Sequence, residues 1–256
     1  MKKLSILFFA LCVFASCKKS GTPNDETKQS NNCKLISYDM TAFKVDYTYD
    51  SQNRITKQSF TNNGASYELP SYRTFEYAND KVTVTDFPSN KKMYYTLSNN
   101  RITRLMYSVD EPNRYSDFTY NSDGYLSTIK DNHWSIGNNR ALTYTNGNLT
   151  KLTVGSETST IEYYDKIAPS GFDMGLNKLL EYEYMLSDKV EPYIILTSYL
   201  GKQSKNLIKT IRFPSSNDYI RYDYEYDSSG KPIKVTITLS GNSNRSFSAD
   251  LKWECN

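Results

Sequence analysis

Histidine is nearly missing from this chain: one residue, His133, among 256. A single imidazole leaves no histidine–nucleophile arrangement signalled in the sequence. Cysteine is sparse, with four residues, at positions 12, 17, 33 and 255. Isolated cysteines and one histidine do not make a ligand set, so no metal or other cofactor is expected. No Gly-x-Ser-x-Gly elbow, phosphate loop, zinc motif or calcium loop appears. Charge of neither sign dominates: 31 basic against 28 acidic residues, a formal +3. Setting aside Lys2 and Lys3 in the first segment lowers this to about +1, which gives no basic field for nucleic acid. Outside Leu4–Phe14 there is no long apolar run, and that one is too short to span a bilayer comfortably.

The first segment reads as a targeting signal covering residues 1–16. Lys2 and Lys3 form its positive start, and Leu4–Phe14 its apolar centre. It ends in Phe14-Ala15-Ser16-Cys17, which resembles a bacterial lipobox with Phe14 in place of the usual leucine. That resemblance implies acylation of Cys17. Residues 17–32 then form a polar tether without aliphatic or aromatic side chains after the cysteine, unable to join a core. The expected location is the cell envelope, anchored by lipid, with the outer membrane as the membrane. Lys18 and Lys19 follow the cysteine directly, and Asp25-Glu26 comes later, so both the periplasmic and the surface face stay open. Residues 33–256 form the single folded domain, long enough for a sizeable core. In an oxidising compartment, Cys33 and Cys255 are expected to pair, closing nearly the whole domain.

What is abundant is tyrosine, 23 residues, within a repeated motif. The motif is a tyrosine, a turn of Asn, Asp, Ser or Gly, a basic residue, an aliphatic residue, then threonine. It reads Tyr47-Thr-Tyr-Asp-Ser-Gln-Asn-Arg-Ile-Thr-Lys57, returns near Tyr77, Leu97, Tyr120 and Tyr144, and closes as Tyr224-Glu-Tyr-Asp-Ser-Ser-Gly-Lys-Pro-Ile-Lys-Val-Thr236. In the last copy Tyr222, Tyr224 and Tyr226 alternate with Arg221, Asp223 and Glu225, the period of a strand with one packed face. Folding across a four-residue loop at Asp227–Gly230 places Tyr224 opposite Ile233 and Tyr222 opposite Val235, with Asp223 beside Lys234 and Arg221 beside Thr236. In other copies the aliphatic residues fall two and five positions after the turn: Ile102 and Leu105, Leu126 and Ile129, Leu149 and Leu152. A spacing of three turns a strand's face over unless a β-bulge intervenes, and repeated bulges curl a sheet. One hairpin per repeat gives roughly 12 to 16 strands, more than an open twisted sheet usually holds. The fold class is therefore all-β: an antiparallel hairpin meander rolled into a curled sheet or barrel. Residues 169–207 break the rhythm and read as a partly helical insertion that packs into the mouth of the roll or covers it as a lid.

These hairpins resemble the tyrosine–aspartate repeats of Rhs-type shell proteins in degenerate form. The chain is more similar to a family of Bacteroidetes lipoproteins of unknown function with a porin-like curled sheet. There the same repeats follow a lipobox, and a stretch like Leu200-Gly201-Lys-Gln-Ser-Lys-Asn-Leu207 precedes the final hairpins. The resemblance implies the fold and no catalytic residues.

For chemistry, His133 and Trp134 stand together in the loop Asp131–Gly137, where a tryptophan can serve as a ligand platform. Asp223 and Glu225 are best explained by charge pairing across the sheet. The reading is a lipid-anchored, non-enzymatic binding or scaffold module. Its expected partners are the membrane, through its anchor, and a glycan, peptide or envelope protein. The alternatives are a carrier of hydrophobic ligands within the curved sheet and a carbohydrate-active enzyme using paired carboxylates.

Overall fold

A computed structural model describes residues 33–64, 70–132, 139–169, 172, 196–214, 218–240 and 245–255. Sixteen antiparallel strands follow one another as a meander and close into a barrel. They are β1 (Cys33–Met40), β2 (Phe43–Tyr49), β3 (Ile55–Asn62), β4 (Tyr72–Tyr77), β5 (Lys81–Phe87), β6 (Lys91–Ser98), β7 (Arg101–Met106) and β8 (Tyr115–Tyr120). The second half continues with β9 (Leu126–Asp131), β10 (Arg140–Thr145), β11 (Asn148–Val154), β12 (Glu157–Ile167), β13 (Asn206–Arg212), β14 (Tyr219–Tyr226), β15 (Pro232–Leu239) and β16 (Arg245–Cys255). Closure comes from β1 pairing with β16, beginning at Cys33 opposite Cys255, where a disulfide joins the two chain positions. Every edge is thereby paired.

The motif turns carry out three local tasks. In its longer form the leading Asp or Asn accepts backbone N–H groups with its side-chain oxygen. Asp50 Oδ1 accepts from Gln52 and Arg54 (both 2.9 Å), Asp227 Oδ1 from Ser229 (2.9 Å) and Lys231 (3.0 Å), and Asn121 Oδ1 from Tyr125 (3.0 Å). Asn53, Gly124 and Gly230 then take the left-handed conformation that completes the turn. Shorter copies use Asn99-Asn100 and Asn146-Gly147, with positive φ at both residues. After either turn comes a bulge at the same place. The ladder steps from Tyr49↔Ile55 to Thr48↔Lys57, from Leu97↔Ile102 to Thr96↔Arg104, from Tyr120↔Leu126 to Thr119↔Thr128, and from Tyr144↔Leu149 to Thr143↔Lys151. The extra residue is Thr56, Thr103, Ser127 or Thr150. Each donates its hydroxyl back across the ladder to the carbonyl of Thr48, Thr96, Thr119 or Thr143, at 3.1–3.3 Å. The bulge turns both aliphatic residues inward, so Ile102 and Leu105, Leu126 and Ile129, and Leu149 and Leu152 are all buried.

The register of the last hairpin differs from the sequence expectation by two residues. Tyr224 faces Val235, Tyr222 faces Ile237, Asp223 faces Thr236, Arg221 faces Thr238 and Glu225 faces Lys234. One residue of the shift comes from the turn, where Asp227 already bonds to Lys231. The other comes from the bulge at Ile233, which stands where other copies have threonine or serine.

The inner face is the core: Val82, Val84, Leu105, Ile211, Tyr222 and Val235 have no exposed surface. The outer face carries Lys151, Glu162, Lys209, Arg212, Arg221 and Glu225, all exposed. In an up-and-down meander all motif turns lie at one end, together with Cys33 and Cys255. The described parts of the 169–207 insertion fold over that end; its remainder lies outside the described residues, and Thr197–Tyr199 is a single 3₁₀ turn.

Candidate functional site

The repeated aromatic residues pack in one recurrent arrangement. Tyr49, Tyr77 and Tyr120 each lie on a two-residue step of a neighbouring hairpin, a basic residue followed by an aliphatic one, while Tyr163 lies on Asn148-Leu149 and Trp253 on Lys231-Pro232. Tyr49 donates its hydroxyl to Leu35 O (2.6 Å) beneath the Lys34 ammonium, 5.1 Å from the ring centroid. Tyr77 donates to Ile55 O (2.8 Å) beneath Arg54 at 4.3 Å, and Tyr120 to Ile102 O (2.7 Å) beneath Arg101 at 5.3 Å. Tyr163 donates to Leu149 O (2.9 Å), and Trp253 takes the same place on Pro232, with Nε1 2.6 Å from the carbonyl oxygen. Burial pushes the Tyr49 phenol up to about 12 and raises those of Tyr77 and Tyr120 as well. These aromatics are joints of the wall rather than a free array for ligands.

The turn end is covered by the last described part of the insertion, from Leu196 onward. Tyr199 sits on Tyr77, with ring centroids 6.1 Å apart, and its carbonyl accepts from the Tyr120 hydroxyl (3.3 Å). Gly201 bridges to Tyr125, and Lys202 N donates to Gly124 O (2.9 Å). A Cβ on Gly201 would stand 2.5 Å from Gly124 O, which requires glycine there along with its φ of +80°. Ser204 Oγ accepts from Leu149 N (3.2 Å), and the Asn148 side chain clasps Asn206, donating Nδ2 to its Oδ1 (3.0 Å) and accepting from its backbone N–H (2.9 Å). Phe172, at the start of the insertion, packs on Trp253 with centroids 5.4 Å apart.

Beside this closure the wall is irregular. Tyr163 faces Ile208, but the next pair is Ile167 with Asn206, so Tyr164, Asp165 and Lys166 stand against Leu207 alone. The ladder between β13 and β14 pairs Thr210–Arg212 with Tyr219–Arg221. Tyr164 reaches past β13 and donates its hydroxyl to Tyr222 O (3.0 Å). Its ring meets Tyr224 edge-on at 6.1 Å, and Lys166 Nζ lies 3.1 Å above the centre of the Tyr226 ring. A cleft of about 610 Å³ results, lined by Tyr164, Asp165, Lys166, Asp223, Tyr224 and Tyr226. Burial, then the Asp223 carboxylate, raises the Tyr164 phenol and holds it neutral. Arg221 Nε lies 2.8 Å from Asp223 Oδ2.

The opposite end holds two ion pairs sunk in the wall. Arg73 of β4 forks onto Asp86 of β5, with Nη2–Oδ2 at 3.0 Å and Gln58 of β3 alongside. Arg140 of β10 bonds to Asp131 of β9; their side chains are 3% and 0% exposed. Ser116 donates to the same carboxylate, and Tyr107 lies 3.1 Å from the serine hydroxyl. Asp131 and Arg140 are the stems of the loop carrying His133 and Trp134, which themselves lie outside the described residues, as does Cys17. Asp223 and Glu225 engage Arg221 and Lys234 respectively. Among the described residues no group of three or more His, Cys, Asp or Glu is placed to hold a metal ion.

Sequence reasoning missed the Tyr164 cleft. Its signal is Tyr163-Tyr164-Asp165-Lys166, a motif opening followed by Pro169 in place of the usual turn.

No protein-family model matches the chain, and no curated protein matches it. Solved structures do. A porin-like protein from Bacteroides uniformis superposes with a TM-score of 0.63 at 20% identity, over 86% of this chain and 97% of that one. A porin-like protein from Bacteroides vulgatus gives a TM-score of 0.52 at 13% identity, over 85% and 97% of the respective chains. At these identities the likeness establishes a shared porin-like barrel fold.

Proposed function

We propose that this chain is a lipid-anchored, non-enzymatic barrel of the bacterial cell envelope. It works in water beside the membrane as a binding or scaffold module. One observation carries the reading: the wall has its apolar residues inside and its charges outside. A membrane barrel has the reverse, an apolar band facing lipid and a polar lumen. Strand length agrees, since all strands but β12 and β16 have six to eight residues, against about 9–11 for a transmembrane strand. The packed interior also argues against carriage of a hydrophobic ligand inside the roll. The anchor is assigned to Cys17 on the lipobox-like sequence before it, with residues 18–32 as the leash; the outer membrane is the proposed membrane. Cys33 stands at the turn end, so the leash leaves the barrel there. Fractionation of cells carrying Cys17→Ala tests the assignment. The variant should move from the membrane to the aqueous fraction with unchanged β-sheet circular dichroism. A folded variant that still needs detergent for extraction contradicts it.

A further inference from the structure

The cleft beside β12 lies where the β12–β13 ladder is interrupted, and its lining has a definite chemical character. Three tyrosine rings from two strands, Tyr164, Tyr224 and Tyr226, form its apolar surface, and all three are partly buried. Tyr226 lies under Lys166 of the Lys166-Ile167 step, and its ring also lines the cleft. Two carboxylates, Asp165 and Asp223, and the Lys166 ammonium stand around the rings. Asp165 is exposed at the rim.

We propose that this cleft binds a neutral oligosaccharide of two to three pyranose rings. The proposal rests on the binding-module reading above and gives it a site and a ligand class. Tyrosine rings match the apolar C–H faces of pyranoses. Carboxylates accept paired hydrogen bonds from sugar hydroxyls, and an ammonium donates to ring or hydroxyl oxygens. The volume, about 610 Å³, falls within the roughly 300–1,000 Å³ usual for small-molecule sites. Asp223 is paired with Arg221, which leaves the Asp165 carboxylate and the Lys166 ammonium in balance, a lining suited to a neutral glycan. Tyr164 holds the site open: its hydroxyl bond to Tyr222 O fixes the bulge that displaces Asp165 and Lys166 outward.

Isothermal titration of the full chain with neutral, amino-bearing and acidic di- and trisaccharides tests this. A neutral member should bind, and Asp165→Asn and Tyr226→Ala should each weaken it about tenfold or more. Asp165→Asn changes an exposed side chain, so its melting temperature should match the parent's and separate loss of binding from loss of fold. Absence of binding by every neutral sugar, preference for an acidic one, or binding indifferent to both variants overturns the proposal and leaves the module reading intact. Cleavage of a bound sugar would keep the cleft as the site and overturn the non-enzymatic reading instead.

Discussion

The hydroxyl at each bulge is the smallest unit of this architecture that can be tested alone. Thr56, Thr103, Ser127 and Thr150 all return a hydrogen bond to a carbonyl across the ladder, and Ile233 breaks the series. A net hydrogen bond contributes about 1 kcal/mol. Thr150→Val, which keeps the branched shape, should therefore cost about 0.5–1 kcal/mol in chemical denaturation, whereas Ile233→Thr should recover a similar amount at the fifth bulge. The tyrosine joints give a pH signature. A phenol whose folded pKa lies above its free value of about 10 adds stability that is complete below pH 10 and is lost as pH rises toward its folded pKa. For Tyr49 that window ends near 12. In an alkaline titration, part of the tyrosinate absorbance should lag behind the exposed residues and appear together with loss of sheet signal. The threonine and the tyrosine were both legible in the motif; their partners were not, because each tyrosine bonds to a neighbouring hairpin that local reading cannot identify.

Hairpins were legible as elements, and their curl followed correctly from the two-and-five spacing of aliphatic residues. Register was not. The turn and the bulge each shift the ladder by one residue, and alternation alone reads the same after a shift of two. Nor did the sequence reveal that the stretch from Leu200 to Leu207 clasps two motif turns, since the close approach of Gly124 and Tyr120 to Gly201 comes from a distant part of the chain. The ion pairs of the opposite end were equally hidden, as their members sit on separate strands. For Arg140 and Asp131 the energetics have a clear test. Removing one member strands a buried charge at about 3–5 kcal/mol, while replacing both with apolar residues is often nearly neutral. Arg140→Met should lower the unfolding free energy by that amount, and Arg140→Met with Asp131→Leu should restore most of it. Ser116 donates to the same carboxylate, so some loss will persist in the double variant.

The whole molecule is a porin-like shape turned inside out in its chemistry. The sixteen strands stand at the top of the range of roughly 12 to 16 read from the repeats, and of the two expected forms, curled sheet or barrel, the molecule takes the closed one. That β1 meets β16 through a full ladder required the three-dimensional structure, although Cys33 and Cys255 marked the two strands. The consequence is a barrel whose lumen is occupied by side chains such as Val84, Leu105, Tyr95 and Ile211. Single-channel recording on the full chain added to planar bilayers tests this account most directly. A filled barrel with a charged exterior predicts no conductance steps at any voltage the bilayer withstands. Reproducible steps of uniform size would show a water-filled path through a membrane-inserted wall and would contradict the account.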